Sequence, residues 1–124
     1  MIIESIPRTN DVREVDRWRD SVGIKINDYA FIKNILADYT ITMNDSILLC
    51  DSTGGDITIT LLPAAKLIYK KITVKKTVAA NNVIIDGDGS ETIDGAATKT
   101  ISNQWESLTI ISDGSNWYII GELD

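Results

Sequence analysis

The chain has 124 residues, 44% of them hydrophobic and 24% charged, with a formal net charge of −6 and a pI near 4.5. That length suits one domain with a real core, and the acidic balance argues against a nucleic-acid partner, because binding a phosphate backbone rests on clustered Lys and Arg. Histidine is absent and Cys50 is the single cysteine, which removes Ser-His-Asp and Cys-His catalysis, the commonest zinc ligand and any intrachain disulfide.

No apolar run approaches the roughly 20 residues needed to span a bilayer, so membrane insertion is not expected. Met1-Ile2-Ile3-Glu4 lacks the basic start and apolar core of a signal peptide, which predicts a protein made in a cytoplasm.

Residues 1–10 combine an Ile-rich start with Pro7 and show no periodicity, as an extended arm does. Asp11-Val12-Arg13-Glu14 then has capping-box spacing, the Asp side chain accepting from the first turn while Glu14 reaches back. A helix is predicted from there. At 100° per residue Val12, Val15, Trp18 and Val22 share one face with Arg19, and Gly23 follows as a stop. About three turns are marginal alone, so this stripe needs a partner: its own β unit, or copies of itself around an axis, for which Val15, Trp18 and Val22 fit one a-d-a seam.

Ile24-Lys25-Ile26 alternates like a strand, whereas Phe31, Ile32, Ile35, Leu36 and Tyr39 fall at helical spacing. Over residues 24–38 we expect a short strand or linker followed by a helical turn or two. From Tyr39 the β pattern takes over. Tyr39 to Met43 alternates, Asn44-Asp45 turns, and Ile47 to Cys50 is apolar on both faces, which makes Cys50 a small buried hydrophobe. Asp51 to Gly55 is a loop, and Asp56 to Leu61 places Ile57, Ile59 and Leu61 inward against outward Thr58 and Thr60. Pro63 ends that run because it cannot donate to a ladder. Leu67 to Lys75 reads as the longest strand, with Ile72 and Val74 inward, and the Lys70-Lys71 and Lys75-Lys76 pairs read as its solvated face.

The remaining stretch, 82–120, repeats one device: a β-branched run, a Gly/Asp/Asn turn, another run. Asp86-Gly87-Asp88-Gly89-Ser90, Asp94-Gly95 and Asp113-Gly114-Ser115-Asn116 supply residues that accept positive φ, so tight hairpin-like connections are expected. Ile84 lies between Val83 and Ile85, Ile111 follows Ile110, and Trp117-Tyr118-Ile119-Ile120 is apolar on both sides. A strand apolar on both faces needs a second covered surface, and the leading candidate is another copy of the chain. The candidate interface residues are therefore Val15, Trp18, Val22, Ile84, Ile111, Tyr118 and Ile120.

Chemistry-bearing residues are few. Asp86, Asp88, Glu91 and Asp94 could pair as glycosidase carboxylates, but they occupy a Gly-rich turn where Asp serves the backbone. The same stretch resembles the opening of a calcium loop and lacks its later ligands. No catalytic, cofactor-binding or metal residue is assigned. Trp117 continues a strand and is expected in the core or a subunit contact, whereas Trp105, beside Asn103 and Gln104 in a loop, is the candidate ligand platform.

The phrases LLCDSTGGDITITLLPAA (48–65), DGDGSETIDGAATKT (86–100) and QWESLTIISDGSNWYII (104–120) together resemble a small β module that recurs in bacteriophage fibre and spike proteins. Two positions depart from that pattern: Leu61-Leu62-Pro63 carries an extra apolar residue, and Ile84 stands where a polar residue such as Thr is usual. The resemblance implies a non-enzymatic virion surface protein, a homotrimeric tail fibre, spike or head-decoration protein that meets capsid or tail through its N-terminal arm. The alternative is a carbohydrate- or receptor-binding module for host attachment, with a host surface glycan as ligand. The fold expected is mainly β: residues 1–38 as arm, short helix and connector, and 39–124 as a compact antiparallel β-sandwich or barrel-like knob, trimeric on the particle.

Overall fold

The computed structural model describes residues Phe31–Asp124. The predicted N-terminal helix, with Val15, Trp18 and Val22, lies outside the described residues. Nine strands follow: β1 (Ile32–Ile35), β2 (Tyr39–Thr40), β3 (Ile47–Cys50), β4 (Ile57–Thr60), β5 (Lys71–Lys76), β6 (Val83–Asp86), β7 (Thr98–Ile101), β8 (Ser107–Ser112) and β9 (Trp117–Leu123), with one 3-10 turn at Ala64–Lys66.

The strands form a five-stranded sheet, β1-β3-β5-β8-β9, and a four-stranded sheet, β2-β4-β6-β7. Up to β6 the chain changes sheet at every strand, winding as a coil that adds one strand to each sheet per turn. Consecutive strands within a sheet consequently run parallel: β1 with β3, β3 with β5, β2 with β4 and β4 with β6. Winding then stops. β7 returns antiparallel to β6, β8 lies antiparallel to β5, and the β8–β9 hairpin closes on Asp113 to Asn116.

The fold is mainly β, as expected, but the antiparallel sandwich or barrel-like knob is corrected: both sheets are mixed and neither closes into a barrel. The reason lies in the turns. Asn44-Asp45 and Asp51 to Gly55, which look like hairpin loops, are corners at which the chain crosses between sheets. Asp45 builds one corner, its buried carboxylate accepting from the Tyr39 hydroxyl at 2.7 Å and the Thr42 N–H at 2.8 Å. Ser52 builds the next, its hydroxyl donating to the Ala80 carbonyl at 2.6 Å.

Inward side chains of both sheets meet in one core. Leu48, Val74 and Leu108 form one registered row, and Ile57, Val83 and Ile101 another. Ile41, Leu61, Ile93 and Trp117 fill the space around them, all buried. Each aliphatic side chain so buried contributes about 1.5–3 kcal/mol, enough in sum to order a domain of this size without a disulfide.

Three further readings are corrected. Residues Ile32–Ile35 form a strand and not the helical turn their spacing suggests, because β3 offers them a parallel ladder. The run from Leu67 is interrupted: Lys70 N–H donates to the Leu67 carbonyl, Tyr69 has φ 65, and strand begins only at Lys71, which makes β9 the longest strand. Lys76 is fully buried, not solvated. It takes the inward position beside Cys50, and its ammonium reaches the Val78 carbonyl at the sheet's end.

Ile85→Ala, deleting part of a fully buried side chain, is expected to cost about 2–5 kcal/mol in urea unfolding. Thr98→Ala, at an exposed outward position, is expected to stay within about 0.5 kcal/mol of the parent.

Candidate interaction surface

With both inward faces absorbed by the core, what remains for function is the outward side chains, the edges and the loops. The two outward faces differ sharply in chemistry. Register places Thr40, Thr60, Asp86 and Thr98 in one row of the four-stranded sheet, and Thr58, Ile84 and Thr100 in the next. This face is threonine with one aspartate and a single isoleucine. Hydroxyls of short β-branched residues suit both a strand backbone and water, so this face requires no cover.

The five-stranded sheet differs. Its outward rows run Ile32, Ile47, Thr73, Thr109 and then Lys71, Ile111, Tyr118, with Leu49, Lys75 and Ser107 in a third. Polar residues hold the middle: Lys71, Thr73 and Lys75 on β5, with Thr73 Oγ1 hydrogen-bonded to Thr109 Oγ1 at 2.9 Å. Apolar residues hold the two sides.

The exposed large apolar residues follow the same division. Phe31, Ile32, Leu36 and Met43 belong to the first coil. Tyr118, Ile120 and Leu123 belong to β9, whereas Ile68 and Tyr69 continue the β5 line beside β8, Tyr69 N–H donating to the Ser112 carbonyl and Ile68 lying against Gly114. Trp105 stands apart from all of these.

The structure therefore brings Ile111 and Tyr118 together as registered neighbours, with Ile120 at the β-bulge beside them. Ile84 is separated from them, on the outward face of the other sheet. Four half-exposed or exposed positions escaped sequence reasoning: Ile32, Ile47, Leu49 and Leu123. For Ile47 and Leu49 the signal is the apolar-on-both-faces pattern of 47–50; Ile32 and Leu123 carry no comparable one.

The edge of β9 is closed to further strands along its first half. Trp117 N–H donates to the Thr92 carbonyl, Asp94 N–H to the Trp117 carbonyl, and Ile119 N–H to Asp94 Oδ1 at 3.0 Å. The bulge between Thr109 and Ile110 then twists the edge. Trp117 itself is fully buried, its indole N–H without a hydrogen-bond partner.

The acidic loop serves the backbone. Glu91 Oε1 accepts the Ala64 N–H at 2.9 Å, Asp94 caps Ile119, and a Cβ at Gly87 would stand 2.6 Å from the Glu91 carbonyl, so that only glycine fits. Among the described residues, Glu106, Glu122 and Asp124 bring carboxylate oxygens within 4.8 Å of one another. Glu106 Oε1, however, accepts from the N–H groups of Ser102 and Asn103 and so closes the turn that carries Trp105.

Trp105 is 57% exposed and adopts φ 72, a left-handed conformation rare for an aromatic residue. Its N–H donates to the Lys76 carbonyl and its carbonyl accepts from Lys75 Nζ at 3.0 Å. The turn is thus held from both sides with the indole left outward.

No protein-family model matches the chain, and no curated protein matches it.

Two exposed carboxylates carry pH dependence. Asp113 accepts the Asn116 and Ser115 N–H groups, each at 2.9 Å, which holds it below the usual carboxylate range; Asp51 is held down likewise by the hydroxyl and N–H of Thr53. Depressed folded values mean stability present above the unfolded pKa of about 3.9 and lost as pH falls through the folded values. The melting temperature is therefore expected to fall below about pH 4, and the deficit of Asp113→Ala relative to the parent should narrow on the same descent. A deficit that stays constant with pH would remove this role.

Proposed function

We propose that this chain is a non-enzymatic structural protein of a bacteriophage virion, a fibre, spike or head-decoration protein that assembles as a homotrimer on the particle surface and meets capsid or tail through its N-terminal residues. One observation carries the reading: the four-stranded sheet presents mostly threonine outward, with Asp86 and Ile84, while the five-stranded sheet presents isoleucine, leucine and tyrosine on either side of a Lys/Thr middle. A stable lone subunit gains nothing from that asymmetry, whereas a subunit packed against its copies requires it. The phage-fibre wording of 48–65, 86–100 and 104–120 supports the same reading. A particle exposed outside the cell needs slow unfolding, and apolar faces shared between subunits supply it to a chain that has only Cys50 and hence no intrachain disulfide.

A second reading, a carbohydrate-binding module for host attachment, is favoured by Trp105. An aromatic ring held outward on a left-handed backbone is strained, and such strain gathers where a side chain is used. Flat indole faces stack on the C–H faces of pyranose sugars, and Asn103 and Gln104 flank the ring with hydrogen-bonding groups.

Light scattering on the purified protein is expected to give three times the 13.7 kDa chain mass; a mass of one chain would remove the trimer. Ile111→Asp should release subunits while leaving far-UV strand content intact, and an assembly that tolerates it would exclude Ile111 from the contact. For the second reading, Trp105→Gly places at φ 72 the residue that tolerates it best, so its melting temperature should match or exceed the parent's while glycan-array signal disappears. An unchanged glycan signal would take Trp105 out of any sugar site.

A further inference from the structure

We infer that the contact between copies is heterologous: the first-coil border of the five-stranded sheet in one subunit packs against the β9 border in the next, closing a ring. This rests on the homotrimer reading above and names the surfaces it would use.

Of the ten exposed large apolar residues among the described residues, seven lie at one of these two borders, Phe31, Ile32, Leu36 and Met43 at one and Tyr118, Ile120 and Leu123 at the other, while Ile68 and Tyr69 stand at the end of the β5 line and none lies within β3, β5 or β8. The borders stand four strand spacings apart, on the order of 19 Å, across a middle occupied by Lys71, Thr73, Lys75 and Thr109. They also differ from each other. One is the edge of a parallel coil with Ile32 outermost, the other a bulged hairpin with Tyr118 and Ile120. A two-fold contact pairs a patch with itself, so it would cover one border and leave the other in water. A head-to-tail ring covers both in every copy.

Area supports the same arrangement. Seven side chains about two-fifths to three-quarters open leave on the order of 700 Å² of apolar surface, and at the usual interface composition of about 60% apolar they imply about 1,200 Å² per copy. Shared between two neighbours, that is about 600 Å² each, or about 1,200 Å² per contact counted on both sides, the lower end of the range for specific interfaces. The alternative of strand joining strand across the β9 edge is blocked along the first half of that edge, since Thr92 and Asp94 already take the edge N–H groups of Trp117 and Ile119. Copies meet through side chains, which favours a closed ring over an open-ended ribbon.

The test uses the full chain with a short flexible bismaleimide and three variants: Ile32→Cys, Ile120→Cys, and both together. These positions are 62% and 53% exposed, so each thiol is accessible in a lone subunit and the fold tolerates the change, while fully buried Cys50 gives no background. Light scattering of the unlinked variants is read first. The doubly substituted protein is expected to yield covalent dimers and trimers on denaturing gels, and each single variant to remain uncrosslinked. Covalent dimers from either single variant would mean that a border meets itself, which overturns the inference and leaves the trimer reading intact. A triple mass with no crosslink in the double variant has the same consequence. A single-chain mass overturns both readings.

Discussion

Each inward isoleucine of the four-stranded sheet rests beside its counterpart one coil further along: Ile57 beside Val83, Ile59 beside Ile85. The five-stranded sheet repeats the pattern with Leu48 and Val74. This stacking in register is the constraint on which the rest of the structure depends, because shifting any strand by one residue would turn its apolar side chains to water and its threonines into the core. Parallel pairing follows from it, since a chain that alternates between two sheets can place like beside like only by winding in one sense. The corners at Asp45 and Ser52 keep the winding in step by satisfying backbone and side-chain groups that the crossing would otherwise leave unpaired.

Winding also explains the surface. A coil adds a strand to each sheet at its growing end and leaves an edge at its start, so among the described residues β1 is an edge strand, with Phe31 and Ile32 exposed. At the other side, reversal through β8 and β9 ends the parallel stack, and Asp94 with the bulge at Ile120 closes half of that edge. Two apolar borders on one sheet and a threonine face on the other come from a single backbone path. That path separates the surface needing a partner from the one suited to water.

The chemistry-bearing residues are absorbed into this architecture. Glu91, Asp94, Glu106 and Asp113 each accept backbone N–H groups at turns. Their carboxylates hold loops in place where hydrogen-bond partners would otherwise be lacking, the role expected of acidic residues in Gly-rich connections. Trp105 is the exception, an aromatic ring turned outward by a turn whose every tie is to backbone.

The alternation of 57–61 and 71–75 was enough to identify strands and their inward residues, because side-chain period is a property of the strand itself. The burial of Cys50 and Trp117, the hairpin at Asp113 to Asn116 and the excess of apolar residues on 107–120 were likewise legible from residue types alone. Pairing was not. Glycine and aspartate permit a turn without stating whether the chain returns in its own sheet or crosses to the other, so residue types do not separate parallel coils from an antiparallel sandwich, nor Ile84 from Ile111 and Tyr118, although a whole core divides them. Local sequence determined which residues are strand and which side of each strand is apolar; only the tertiary path, by choosing each strand's neighbours, decided on which sheet every outward side chain stands.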